Sequence, residues 1–134
     1  MTKGKKHREP EYRLNIYRGI DPTTCQAGWL FYVRTVKEFV SFNYEILLSG
    51  TTNERAITVQ INGIHAPLMV MPGVGPAKGV IMFKDLQGEY TLHVKKLHRE
   101  LNTFVLSVGT ERAHVQHGPP HPFITVSVEP LEPG

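Results

Sequence analysis

Cysteine is nearly absent: Cys25 is the single one in 134 residues, so neither a disulfide nor a thiolate metal cluster can form within the chain, and a reducing compartment fits. Aspartate occurs only as Asp21 and Asp85, and there is no Gly-x-Ser-x-Gly elbow, which leaves a Ser-His-Asp triad poorly supplied. Cys25 sits in the turn-like Asp21-Pro22-Thr23-Thr24-Cys25 without a histidine beside it in sequence, the setting of a partly buried structural thiol rather than a nucleophile. No catalytic residue and no cofactor are expected. An apolar run of about 18 residues, enough to span a bilayer as a helix, is also missing. The N-terminal MTKGKKHREPEY is basic but runs into no apolar segment, so a secretory signal is not expected and the cytoplasm, or a complex assembled there, is the simplest location.

What charge there is lies at one end. Residues 1 to 13 carry Lys3, Lys5, Lys6, Arg8 and Arg13 against Glu9 and Glu11, whereas the remaining residues carry ten basic and ten acidic side chains. The pI of about 9.1 therefore describes a tail, and the body is neutral. Three segments are expected: a basic arm over 1–13, one domain over 14–129 and a short tail over 130–134. An arm of this kind can touch phosphate, an anionic surface or an acidic protein face, or serve only as a solvated terminus. Nucleic-acid binding through Lys3, Lys5, Lys6 and Arg8 is a subordinate reading, because no aromatic residue interleaves them.

The body alternates with a period of two. In VSFNYEILL, Val40 to Leu48, the residues Val40, Phe42, Tyr44, Ile46 and Leu48 share one face and Ser41, Asn43 and Glu45 the other, the pattern of a half-buried strand. Ile57, Val59 and Ile61 alternate likewise, Asn62-Gly63 intervenes, and Ile64, Ala66, Leu68 and Val70 continue; Asn-Gly suits a type I′ turn, so a tight hairpin is expected there. Leu14 to Tyr17, Trp29 to Val33, Gly79 to Lys84, Tyr90 to Val94, Thr103 to Val108 and Phe123 to Val128 supply further strands, the Gly79 run reading as buried. Eight or nine short strands joined by Gly, Pro and Asn turns predict an all-β, single-domain antiparallel β-sandwich of immunoglobulin-like or jelly-roll type. One alternative is α+β: Thr35 with Glu38 forms a possible capping box, and Val36, Phe39, Val40, Tyr44 and Leu47 recur at helical spacing, so a helix over 35–48 competes with the strand. One helical turn is also compatible with Lys95 to Asn102.

Leu86-Gln87-Gly88-Glu89-Tyr90-Thr91-Leu92-His93-Val94 resembles the leucine, glycine, tyrosine and alternating-apolar signature at one corner of immunoglobulin-like and jelly-roll modules. It is also similar to the penultimate strands of carbohydrate-binding modules, where an Asn-Gly hairpin often precedes. The resemblance implies the architecture, with a tyrosine hydroxyl bonded to nearby backbone. It brings no functional residue with it, because fold alone does not license a function.

Three histidines punctuate HVQHGPPHP at His114, His117 and His121, and zinc would need them to converge. No acidic residue lies between Glu111 and Glu129, and Pro119-Pro120 stiffens the segment so that side chains diverge. The expectation is a connector over 109–122 with solvent-facing histidines, and metal binding is the lesser reading. Met71-Pro72-Gly73-Val74-Gly75-Pro76-Ala77-Lys78-Gly79 offers Gly-x-Gly and a lysine but no helix to open, so it reads as an irregular loop rather than a phosphate cradle.

Aromatics crowd the first third. Alternation places Trp29, Phe31 and Val33 on one face and Leu30 and Tyr32 on the other, so this strand is either covered on both sides or open to a partner. A non-catalytic binding or assembly subunit of a larger complex or particle is the leading expectation, docking through a sheet face or edge with Trp29 and Tyr32 and through the arm residues Lys3, Lys5, Lys6 and Arg8. The alternatives are a carbohydrate-binding module with ring stacking on aromatics, and a metal-binding protein using the histidine segment.

Overall fold

Most of the apolar alternations build strands, and all the strands join a single sheet; the Val40–Leu48 alternation is strand only from Glu45, since Val40, Asn43 and Tyr44 lie in none and 41–42 are outside the described residues. The computed structural model describes residues 10–21, 23–40, 43–66, 73–96 and 100–128. They form β1 (Tyr12–Ile20), β2 (Ala27–Phe39), β3 (Glu45–Asn53), β4 (Ala56–His65), β5 (Gly75–Phe83), β6 (Gly88–Lys96), β7 (Glu100–Val108), β8 (Ala113–His117) and β9 (Ile124–Ser127). The order across the sheet is β8-β7-β6-β4-β3-β5-β2-β1-β9. The chain is all-β, with no helix among the described residues and hence none long and apolar enough to cross a membrane.

The described strands connect into one sheet rather than two. The sheet is mixed, since β1 with β9, β3 with β5 and β4 with β6 run parallel, and it rolls into a nearly closed barrel. Its outermost strands, β8 and β9, are joined by residues 118–123 alone. A link that short reaches at most about 25 Å, whereas a flat sheet of this many strands would hold its edges about 38 Å apart. Polar contacts draw the sides together. The Phe123 N–H donates to Asn102 Oδ1 on β7 at 2.8 Å, and the Phe123 carbonyl accepts from the N–H groups of Glu11 and Tyr12 at 2.7 and 3.1 Å. Lys96 at the end of β6 donates to both Glu11 carboxylate oxygens at 2.9 Å and lies 3.2 Å from Glu100.

The inward residues are those that alternation selects. Leu14 and Ile16 on β1, Trp29, Phe31 and Val33 on β2, Ile57, Val59 and Ile61 on β4, Leu92 and Val94 on β6, and Leu106 on β7 are buried and meet in one core with Phe123 and Ile124. Tyr90 is buried with them, and its hydroxyl accepts from the Gln87 N–H at 3.1 Å, the backbone bond that the corner resemblance implied. Arg55 packs over the Tyr90 ring at 5.0 Å and donates to the Gln87 carbonyl at 2.7 Å, tying the β3–β4 turn to the start of β6.

Four local expectations are corrected. Asn62-Gly63 is not a hairpin turn: both residues lie inside β4, where Leu47 pairs with Gly63 and Leu48 with Ile61, leaving Asn62 as the extra residue of a bulge. The positive φ of Gly63, 149°, serves that bulge, and the Asn62 side chain is held by Gln60 and Ser49. The tight turn falls instead at Glu54-Arg55, between the paired Asn53 and Ala56, with Glu54 at φ 56°. The helix over 35–48 does not form, because Thr35 spends its hydroxyl on a β-bulge: it accepts the Ala77 N–H at 2.9 Å and donates to the Lys37 carbonyl at 2.7 Å, where the β2–β5 register shifts. The Gly79 run is not buried on both faces, since Val80 is 53 % exposed, and its strand begins at Gly75 within the expected loop. Of the possible turn over 95–102, Lys95, Lys96 and 100–102 are strand and 97–99 lie outside the described residues.

Candidate binding face

Because β1, β2 and β5 pair in register, the side chains that point away from the core line up in rows across the barrel wall. Asn15, Tyr32 and Val80 form one row, Tyr17, Leu30 and Met82 the next, and Arg13, Arg34 and Lys78 a third. Their inward neighbours Leu14, Val33 and Ala77 are fully buried, which fixes this set as the outer surface. Arg13, Lys78 and Val80 are exposed, Arg34, Tyr17, Tyr32 and Met82 are half-buried, and Leu30 and Asn15 are covered. The two glycines at the far end explain part of that cover: a Cβ on Gly19 would lie 2.8 Å from Leu30 Cδ1, and one on Gly28 would lie 3.0 Å from Met82 Sδ.

Tyrosine, arginine and methionine beside aliphatic surface is the composition that interface centres share. The electrostatics agree with the packing. Burial pushes the Tyr17 and Tyr32 hydroxyls above the usual tyrosine range; at Tyr32 the Arg34 charge pulls back down and Tyr17 pushes further up. The Arg34 Nε is buried and, among the described residues, has no hydrogen-bond partner.

The sequence-derived candidates scatter. Tyr32 belongs to this face, whereas Trp29, three residues earlier, is 1 % exposed and packs in the core with Arg18 5.8 Å above its ring. Trp29 therefore cannot stack on an incoming partner while the barrel is folded. Lys3, Lys5, Lys6 and Arg8 lie outside the described residues, but Arg13, counted with the arm, belongs to β1. The histidine segment is not wholly a connector: His114 and His117 are exposed on the edge strand β8, opposite Ser107 and Val105, and His121 follows beyond it. No group of three or more His, Cys, Asp or Glu able to hold a metal occurs among the described residues. Cys25 is exposed rather than partly buried, at φ 60°.

Neither a family model, a curated protein nor a solved structure matches the chain. Geometry must therefore carry the functional argument. At the mouth of the barrel, Arg18, Ala27, Lys84, Asp85, Leu86, Gln87, Gly109, Thr110 and Glu111 line an open, mixed-charge cleft of about 440 Å³. It holds neither a nucleophile–base pair nor an enclosed apolar floor.

The face and the seam share a pH signature. Burial raises Tyr12, Tyr17 and Tyr32, and at Lys96 burial pulls downward but the hydrogen bonds and charges of Glu11 and Glu100 outweigh it, leaving that ammonium raised as well. A group whose folded pKa is raised contributes stability that is complete below its unfolded value and fades as pH climbs through the folded one. All four act above about pH 10. Urea midpoints measured from pH 8 to 11 are expected to stay level to about pH 9 and then fall, and the fall is shallower in Tyr32→Phe; a midpoint that rises above pH 10 contradicts the assignment.

Proposed function

We propose that the chain is a non-catalytic binding subunit that docks onto a larger assembly through the outer face of β1, β2 and β5, with its basic arm adding to the contact. The observation that carries this reading is Val80, an aliphatic residue 53 % exposed in the middle of a regular strand and flanked in register by Tyr32. Valine suits a strand by propensity alone, but one turned outward beside tyrosine, leucine and methionine also gains burial when a partner covers it. The two rival readings draw less support. With Trp29 in the core, ring stacking of a glycan loses its one indole, and His114, His117 and His121 are not brought together.

The test is the apparent mass of the chain in extract from its native source. The wild-type chain is expected to elute well above 15.1 kDa, and Val80→Glu to return it to the free-chain position with an unchanged melting temperature. A wild-type chain that already elutes alone, or a Val80→Glu chain that stays in the assembly, sinks the proposal.

A further inference from the structure

The cation row on this face reaches beyond docking in general to the chemistry of what docks. Arg13, Arg34 and Lys78 stand side by side on three adjacent strands, all pointing outward. Strands lie about 4.8 Å apart, so the three charges spread over about 10 Å in a line. Like charges in that arrangement repel, and a fold that keeps them normally interleaves carboxylates. Within the line none separates the three: β9 adds Thr125 and Ser127 beside Arg13 and Asn15, β1 adds Tyr17, and β5 adds Val80 and Met82, while the exposed Glu38 stands one step further along, opposite Pro76. The first acid along the row is Glu45, next to Lys78, and its carboxylate is engaged by His65 at 3.3 Å. Among the described residues no carboxylate pairs with any of the three cations, and the buried Arg34 Nε has no acceptor.

We infer that this face binds single-stranded nucleic acid, its phosphates along Arg13, Arg34 and Lys78 and its bases against Tyr32 and Tyr17. The inference rests on the docking reading and deepens it. A line of cations fits a linear polyanion better than a lone carboxylate, and Tyr32, one row from that line, with Tyr17 a row further, offers rings of the kind unpaired bases stack on. An acidic protein surface would use the charges but place no demand on the rings. A duplex would use the charges too, but its bases are already stacked on one another and reach no side chain on a barrel wall.

The experiment is fluorescence anisotropy of the full chain with a labelled oligothymidylate of about 12 nucleotides, titrated across salt. Each phosphate contact on a single strand contributes about 0.7 to the slope of log K against log salt. Arg13→Gln, Arg34→Gln and Lys78→Gln are each expected to reduce that slope by about 0.7 and to weaken binding about fivefold at 0.1 M salt. Lys95→Gln, the same charge change on the exposed side of β6, leaves both unaltered. Tyr32→Phe keeps the affinity and Tyr32→Leu loses about tenfold, which separates stacking from filling space. Absence of binding at low salt overturns the inference, as does a Lys95→Gln chain that weakens as much as Lys78→Gln. Polyglutamate that binds as tightly as the oligonucleotide and responds to the same variants overturns it in favour of an acidic protein partner. If the oligonucleotide fails while Val80→Glu still releases the chain from its assembly, nucleic acid is ruled out and the docking face stands; if both fail, the face itself is wrong.

Discussion

Phe31→Ala is expected to lower the stability of the chain by about 4 kcal/mol, the upper part of the range for emptying a buried aromatic site. Phe31 is fully buried at the centre of the inner face of β2, with Ile16 of β1 on one side and Ile81 of β5 on the other. Its ring meets that of Phe83 edge-on, with centroids 4.9 Å apart at 74°, an arrangement worth somewhat more than its buried area alone. The surroundings are pleated strands held by ladders on both flanks, so they cannot collapse into the space as a loop could, and most of the cavity term remains. Small domains have total stabilities of about 5 to 15 kcal/mol, so the loss is a large share and lowers the melting temperature by roughly 15 °C. Urea unfolding checks it: the midpoint should drop at constant slope, and Phe31→Leu should recover more than half of the loss. Equal losses for Ala and Leu would mean that ring contacts rather than volume hold the site.

The position of Phe31 was legible because period-two alternation reports which face of a strand is wet; the chain obeys it closely on β4, β6 and β7, and on β1 and β2 it holds apart from the covered outer residues Asn15, Gly28 and Leu30. What alternation does not report is partnership. A half-buried strand looks the same in a two-layer sandwich and in a rolled sheet, and the parallel pairings of β4 with β6 and of β1 with β9 leave no local trace. The Asn62-Gly63 error has a related cause. Asn-Gly advertises tolerance of positive φ, which a G1-like bulge and a hairpin turn both need, and only the partner strand distinguishes them. A competing signal was present in the polar run Thr51-Thr52-Asn53-Glu54-Arg55, where the chain does turn.

The proposed binding face was half legible for the same reason. Placing Tyr32 opposite to Trp29 followed from counting by two, and burial of Trp29 with Tyr32 outward is what the barrel shows. The cation row was out of reach, since Arg13, Arg34 and Lys78 are far apart in sequence and become neighbours only through the registers of two antiparallel pairs. Charge counting even pointed elsewhere, by assigning Arg13 to the arm and the remaining body to neutrality. A body with equal numbers of both signs can still hold one sign on one wall.

Gly79→Ala is the second large expected effect, about 3 kcal/mol of lost stability, at the upper end of overpacking costs. An added Cβ at Gly79 would sit 2.5 Å from the Ile46 backbone oxygen and 3.2 Å from both Ile46 Cβ and Leu48 Cδ1. Backbone cannot swing aside as a side-chain tip can. Gly50, by contrast, would meet the ends of Ile81 and Phe83 at 2.7 and 2.8 Å and backbone, the Thr58 carbonyl oxygen, only at 3.3 Å, so Gly50→Ala should cost less. The location sharpens the consequence: β3 and β5 pair at Glu45 and Lys78 alone, helped by the Lys78 N–H to the Tyr44 carbonyl at 3.3 Å, and Gly79 is the next residue. A methyl group there pushes the two strands apart at their one bridge among the described residues. Hydrogen exchange should therefore quicken first at the Lys78 amide, before the amides of β6 and β7 respond. Because Lys78 and Val80 flank the substituted position on the same strand, partner binding should weaken in Gly79→Ala even at temperatures where the barrel stays folded, and Gly50→Ala should leave binding intact. Loss of stability with Lys78 exchange unchanged would show that the strain is absorbed inside the barrel instead of at the β3–β5 seam.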